Sequence, residues 1–175
     1  MRTVTVSWDK PGGRFVALGR HDGQTIAINA PPNLGEEQRG PTGFSATELL
    51  LAGAGACAAW DVVEILRKRR AQVAALEVAV DAEQGREAPW TYRSVTLHFH
   101  VICDGLTVPV MSRVIRLSIV RYCSVIATIA GVALIAATVE LVGSDGTTTG
   151  RQPIELALPD SPLADGAEPI TDEEV

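Results

Sequence analysis

The chain has 175 residues, 46% of them hydrophobic, enough to bury one sizeable core and consistent with a single domain. Its formal net charge of −6 is unevenly spread: residues 144–175 hold eight Asp/Glu against one Arg, whereas residues 1–143 hold 13 acids and 14 bases. The folded part is thus close to neutral, and without basic clusters on one face it offers no nucleic-acid surface. Three cysteines are too few for a disulfide scaffold, and their odd number suits a reducing compartment such as the cytoplasm.

Residues 3–8 alternate at period two and read as a strand, not as a signal peptide with an apolar core segment. A turn at "PGG" (11–13) leads to a second strand at Arg14–Leu18, and "HDG" (21–23) turns into "QTIAIN", giving a small antiparallel meander. Residues 30–43 form a loop rich in Pro, Gly and charge. Ser45 followed by Glu48 is a capping-box signature, and a long helix begins there. "RKRR" at 67–70 closes it, where cations complement the negative end of the helix dipole, and Glu64 with Lys68 forms an i,i+4 pair.

Two alternating strands follow, 76–84 and 92–102, joined through "EAPW". Apolar positions at helical spacing over 108–121 predict a second helix, a helical region carries Cys123, and β-branched residues near Thr138–Val142 predict a final strand. The 18 uncharged residues Tyr122–Val139 reach the lower limit for a membrane span, but Ser124, Thr128, Gly131 and Thr138 interrupt them, and they divide into a buried helix plus a strand. Residues 144–175, with four prolines, read as an acidic disordered tail. The order of elements is that of an α+β domain over residues 1–143. A helix as apolar all round as 49–66 requires cover on most sides, which a homodimer sandwiching such helices would supply.

Cys57 is the first chemical question. Its helical neighbours at i±3 and i±4 are Gly53, Ala54, Trp60 and Asp61, none of them a cation, so local sequence favours an inert, buried thiol. Reactivity requires an arginine delivered from elsewhere, and Arg14, Arg20 and Arg39 are the upstream candidates. Cys123, 66 residues on, poses the same problem, and spacing alone does not say whether the two meet. His98 and His100 share one strand face, but Cys103 points the other way and no fourth ligand is evident, so the group reads as surface histidines and an incidental thiol, with no metal or cofactor implied. Gly12–Gly13 reads as a turn, and Gly53 and Gly55 read as room for another helix to approach closely.

"TELLLAGAGACAAWDVVEILRKRR", "LHFHV" and "LSIVRYCSV" together resemble the OsmC/Ohr family (osmotically inducible protein C and organic hydroperoxide resistance proteins), and most of all its OsmC-like branch, over residues 4–142. The resemblance implies an OsmC-like fold: antiparallel sheets wrapped around long apolar central helices in an intertwined homodimer. It also implies an active site at the subunit boundary, with Cys57 as the peroxidatic cysteine and Cys123 as the resolving one. An arginine, matched best by Arg20, would ionise Cys57, and a glutamate often assists. Here that glutamate is Glu48, nine residues before Cys57 and therefore about 180° round the helix and ~13.5 Å along it, so it serves only across a dimer interface or acts as the capping-box acid. The implied function is a thiol-dependent peroxidase that reduces organic hydroperoxides in stress defence and is recycled by a dithiol reductant, of which a lipoyl group is one, with no nucleic-acid or membrane partner. Two alternatives stay open: a dimeric stress or binding protein of this fold without turnover, and a purely structural use of both thiols.

Overall fold

A computed structural model describes residues 4–9, 14–19, 23–28, 43–156 and 158, in two compact units that divide after Leu50. In the first unit, β1 (Thr5–Asp9), β2 (Arg14–Leu18) and β3 (Thr25–Ile28) form the expected antiparallel meander, in the order β1-β2-β3. Trp8 lies opposite Phe15 with ring centroids 4.9 Å apart, and Arg14 Nε donates to Asp9 Oδ2 at 3.3 Å. Val4, Val6, Trp8, Phe15, Leu18 and Ile26 all stand exposed on this small sheet in the single chain.

Helix α1 (Ala46–Lys68) starts on the capping box read from the sequence. Ser45 Oγ accepts from Glu48 N at 3.1 Å, and Ser45 N and Oγ donate to Glu48 Oε2 at 2.7 and 2.8 Å. These hydrogen bonds hold the Glu48 carboxyl below its ordinary range. At the other end only Arg67 and Lys68 of the basic run lie in the last turn, and Glu64 pairs with Arg67 at 3.0 Å, one residue earlier than the anticipated Lys68.

In the second unit α1 lies on a four-stranded sheet of order β4-β5-β6-β7: β4 (Val73–Gln84), β5 (Tyr92–Cys103), β6 (Leu134–Val142) and β7 (Thr148–Ile154). Ala54, Gly55, Ala58, Val62 and Leu66 form its buried stripe, at the spacing that lines one face of a helix. Gly55 is there for space, not for turning: a Cβ on it would stand 2.9 Å from Val80 Cγ2. The close approach anticipated for another helix is therefore made by strand β4. Leu50, Trp60 and Val63 remain exposed, so one chain covers only part of this helix.

The sheet departs from an all-antiparallel reading at one pair. Strands β5 and β6 run parallel, because the chain crosses between them through α2 (Val108–Leu117), a π-turn (Ser118–Tyr122) and α3 (Ser124–Ile129). Val95, Leu97, Phe99 and Val101 of β5 and Ile135, Ala137, Val139 and Leu141 of β6 bury one face of the sheet, and Met111, Val114 and Ile115 of α2 belong to the same core. The uncharged run Tyr122–Val139 accordingly resolves into α3, a turn and β6. Among the described residues α1 is the one helix long and apolar enough to cross a membrane, with a mean hydropathy of 1.7, and its buried stripe is part of the core.

The expected boundary at residue 143 falls inside the sheet. Gly143 N donates to Thr147 O, and β7 then pairs antiparallel with β6, Ile154 lying opposite Ala137. Of the segment assigned to a disordered tail, Thr148–Ile154 is thus a strand, and residues 159–175 lie outside the described residues. Strand β7 escapes a sequence reading because "TTGRQPI" is an edge strand with only one buried residue.

Candidate active site

The two thiols that spacing left 66 residues apart are neighbours in space. Cys57 sits half-buried in the middle of α1, beside the core stripe residue Ala58. Cys123 is fully buried at the junction of the π-turn and α3, and its side chain lies within hydrogen-bonding reach of Cys57. Both are free thiols.

Local geometry explains how Cys123 is held. Its N–H donates to Ser118 O at 2.8 Å, the wide ring of a π-turn, and its backbone then swings to φ −72°, ψ 96° to become the N-cap of α3. Sulfur does the capping: Cys123 Sγ accepts from Ile126 N at 3.4 Å. The π-turn is tied to α1 by a buried hydrogen bond, Ser118 Oγ donating to Ala58 O at 2.9 Å, one residue from Cys57. A single serine therefore ties the two cysteine-bearing segments together.

Burial, reinforced by the neighbouring Cys57 sulfur, pushes the Cys123 thiol up to about 12, against the pull of the Ile126 and Val125 N–H groups. At neutral pH Cys123 is therefore a protonated thiol that can donate to Cys57, and of the two it is the less suited to open attack on a peroxide. Of the pair, Cys57 is the more exposed.

The other expected residues take separate places. Glu48 is exposed at the start of α1, engaged with Ser45. Arg20 and Arg39 lie outside the described residues, and Arg14 is paired with Asp9. His98 Nδ1 lies 2.8 Å from Thr138 Oγ1 and its Nε2 3.2 Å from Asp81 Oδ2, while His100 Nδ1 lies 3.2 Å from Glu140 Oε2. Cys103 is buried on the opposite face of β5 from these histidines, and burial together with Asp104 raises its thiol.

Two residues near the thiols were not singled out as functional from the sequence. In the sequence Ser118 is a polar position between Leu117 and Ile119, and Asp61 is a neighbour of the wrong sign for Cys57. Asp61 lies one turn after Cys57 on α1, its Oδ2 is buried without a hydrogen-bond partner among the described residues, and burial raises its carboxyl above the usual range. Its signal in the sequence was that it is the single charge between Glu48 and Glu64.

A sequence model of the family described as OsmC-like protein matches residues 37–137, more than half of the chain. The chain belongs to this family. Protein YhfA of Escherichia coli (strain K12) is 41% identical over 81 residues, a match that covers 46% of this chain and 60% of YhfA, so the chain spans about 60% of the length of the curated relatives it matches. Among solved structures, an OsmC-like protein from Mycoplasma pneumoniae superposes with a TM-score of 0.68 at 18% identity, covering 81% of this chain and 97% of that one. The organic hydroperoxide resistance protein OhrB of Bacillus subtilis superposes with a TM-score of 0.56 at 15% identity, covering 79% and 97%. At these identities the structural likenesses establish a shared α+β fold.

Proposed function

We propose that this OsmC-like protein is a cysteine-based hydroperoxide reductase of peroxide-stress defence, with Cys57 as peroxidatic and Cys123 as resolving cysteine. The observation that carries the reading is the meeting of two distant thiols of unlike character, one half-exposed and one buried and firmly protonated. In the first step the Cys57 thiolate attacks the O–O bond and becomes a sulfenic acid, releasing an alcohol. In the second the Cys123 sulfur attacks the Cys57 sulfur, a disulfide forms, and water leaves with the Cys123 proton, which halts oxidation before the irreversible sulfinic stage. A dithiol reductant, such as a lipoyl group, then restores both thiols.

The apolar surroundings of Cys57, from Ala54 to Ala58, favour organic hydroperoxides over hydrogen peroxide. The cation that favours the thiolate is assigned to Arg20. Glu48 is assigned to the helix cap, where its carboxylate is already engaged, and it would contribute to a site only across a dimer interface. A homodimer is the natural cover for the apolar surface that one chain leaves open, Leu50, Trp60 and Val63 on α1 and the side chains of the meander. Three thiols, too few for a disulfide scaffold and odd in number, suit a reducing compartment, which supports a cytoplasmic location.

Thiol titration after one equivalent of cumene hydroperoxide tests the reading. The wild type should rapidly lose two of its three thiols, Cys57→Ser should lose none on that timescale, and Cys123→Ser should leave a sulfenic acid that dimedone traps. Slow, nonselective loss in the wild type refutes the peroxidase and favours a dimer of this fold without turnover.

A further inference from the structure

An acid one helical turn from a nucleophilic sulfur is an anomaly. Asp61 follows Cys57 by four residues on α1, so the two Cβ atoms lie about 5–6 Å apart on one face. Side chains on a helix lean toward its N-terminus, which carries the Asp61 carboxyl back over the turn of Cys57. An ionised carboxylate there would repel the thiolate that the reaction needs. The environment disfavours the ionised form, because Oδ2 is buried and has no hydrogen-bond partner among the described residues.

The same residue borders open space. Asp61 lines a cavity of about 370 Å³, whose wall includes Ile65, Leu117 and Tyr122, the residue preceding Cys123. Glu64, Lys68 and Arg69 are the other charged groups around it. The cavity therefore runs beside both cysteine-bearing segments, with Ile65, Leu117 and Tyr122 as an apolar side for an organic group and Asp61 as an acid whose Oδ2 has no hydrogen-bond partner among the described residues.

We propose that Asp61 is the proton donor to the leaving alkoxide when Cys57 opens the peroxide bond, a role that rests on the peroxidase reading above. The Cys57 thiolate attacks the terminal oxygen of R–O–O–H, the S–O bond forms, and the O–O bond breaks with its electron pair going to the RO oxygen. The proton of the Asp61 carboxyl passes to that oxygen. The products are the Cys57 sulfenic acid, the alcohol ROH and the Asp61 carboxylate; sulfur is oxidised by two electrons and the peroxide reduced by two. After disulfide formation releases water, the two protons carried by the dithiol reductant restore the Cys123 thiol and the Asp61 acid.

The test varies the leaving group. Single-turnover oxidation of Cys57 is followed in the full chain, wild type against Asp61→Asn, with cumene hydroperoxide and with peracetic acid. An alkoxide needs a proton to leave, whereas acetate does not. Asp61→Asn should slow the reaction with cumene hydroperoxide by about 10²-fold or more while changing that with peracetic acid by less than about threefold. Alkylation of Cys57 by iodoacetamide, which needs no donor, should be unchanged, and Asp61→Ser serves as the second variant if the asparagine protein folds poorly. Equal slowing with both oxidants, or slowing with neither, overturns the assignment. Failure of the peroxidase reading itself looks different: wild-type Cys57 then reacts with cumene hydroperoxide no faster than Cys103, before any substitution is made.

Discussion

Replacing Gly55 with alanine sets two opposite effects of known size against each other. Alanine favours an α-helix over glycine by about 1 kcal/mol, so an exposed site would gain that much. At Gly55 the added methyl would stand 2.9 Å from Val80 Cγ2, with Val78 Cγ1 and Val78 O at 3.8 and 3.9 Å beyond it. Carbon atoms rest about 3.5–4.0 Å apart, so α1 or β4 must give way by about 0.6–1.1 Å. Valine cannot turn aside cheaply, because its branched Cβ leaves few χ1 choices. Overpacking of this kind costs about 1–3 kcal/mol, and with the helix gain subtracted the net loss is about 1 kcal/mol.

Val80→Ala removes the obstructing methyl and supplies the matching test. Alone it should cost about 1 kcal/mol for a half-buried site. Combined with Gly55→Ala it should remove the clash and leave the helix gain, a favourable coupling of about 2 kcal/mol. Urea unfolding of the four proteins reads this as midpoint shifts at constant m. Gly55→Ala at least as stable as wild type, with effects that add, would refute the argument that glycine is present to let β4 approach. Any lift of α1 would also carry Cys57, two residues away, out of line with Cys123, so closure of the disulfide should slow in Gly55→Ala and recover in the double variant.

Alkaline pH should weaken the fold through Cys123. Its folded value of about 12 lies above that of an ordinary thiol, so above about pH 9 the unfolded chain releases a proton that the native state retains. The contribution is complete below pH 9 and is lost as the pH rises toward 12; the melting temperature should therefore fall more steeply from pH 8 to 10.5 in wild type than in Cys123→Ala, and parallel slopes would contradict it. Ser118→Ala removes the tie from the π-turn to Ala58 O, a net hydrogen bond of about 0.5–1.5 kcal/mol. A drop of a few degrees in melting temperature should accompany a longer-lived, dimedone-trappable Cys57 sulfenic acid, and an unchanged lifetime would show that Ser118 does not align the thiols.

What could be read from the sequence was local. The capping box of Ser45 and Glu48, the three strands of the meander, α1, β4 and β5 each follow from patterns within a dozen residues, and all are present. The failures share a non-local cause. The parallel pairing of β5 with β6 depends on a crossover of some thirty residues, and β7 carries polar residues because it is an edge strand stabilised mainly by pairing with β6. The juxtaposition of Cys57 with Cys123 depends on the π-turn, whose extra residue shifts helical phase and which no hydrophobic periodicity reports.

Asp61 shows how far a single residue can be read without coordinates. An apolar helix face tolerates a charge only where the charge is solvated, paired or neutralised. The structure excludes the second for Oδ2 among the described residues, and its burial argues against the first. Burial therefore shifts the balance toward the protonated form, and an acid biased that way beside a thiol pair and at the edge of a cavity is a candidate proton donor. The sequence displayed the oddity, one charge in fifteen residues, but its sign pointed away from catalysis until burial showed that the site disfavours the ionised form.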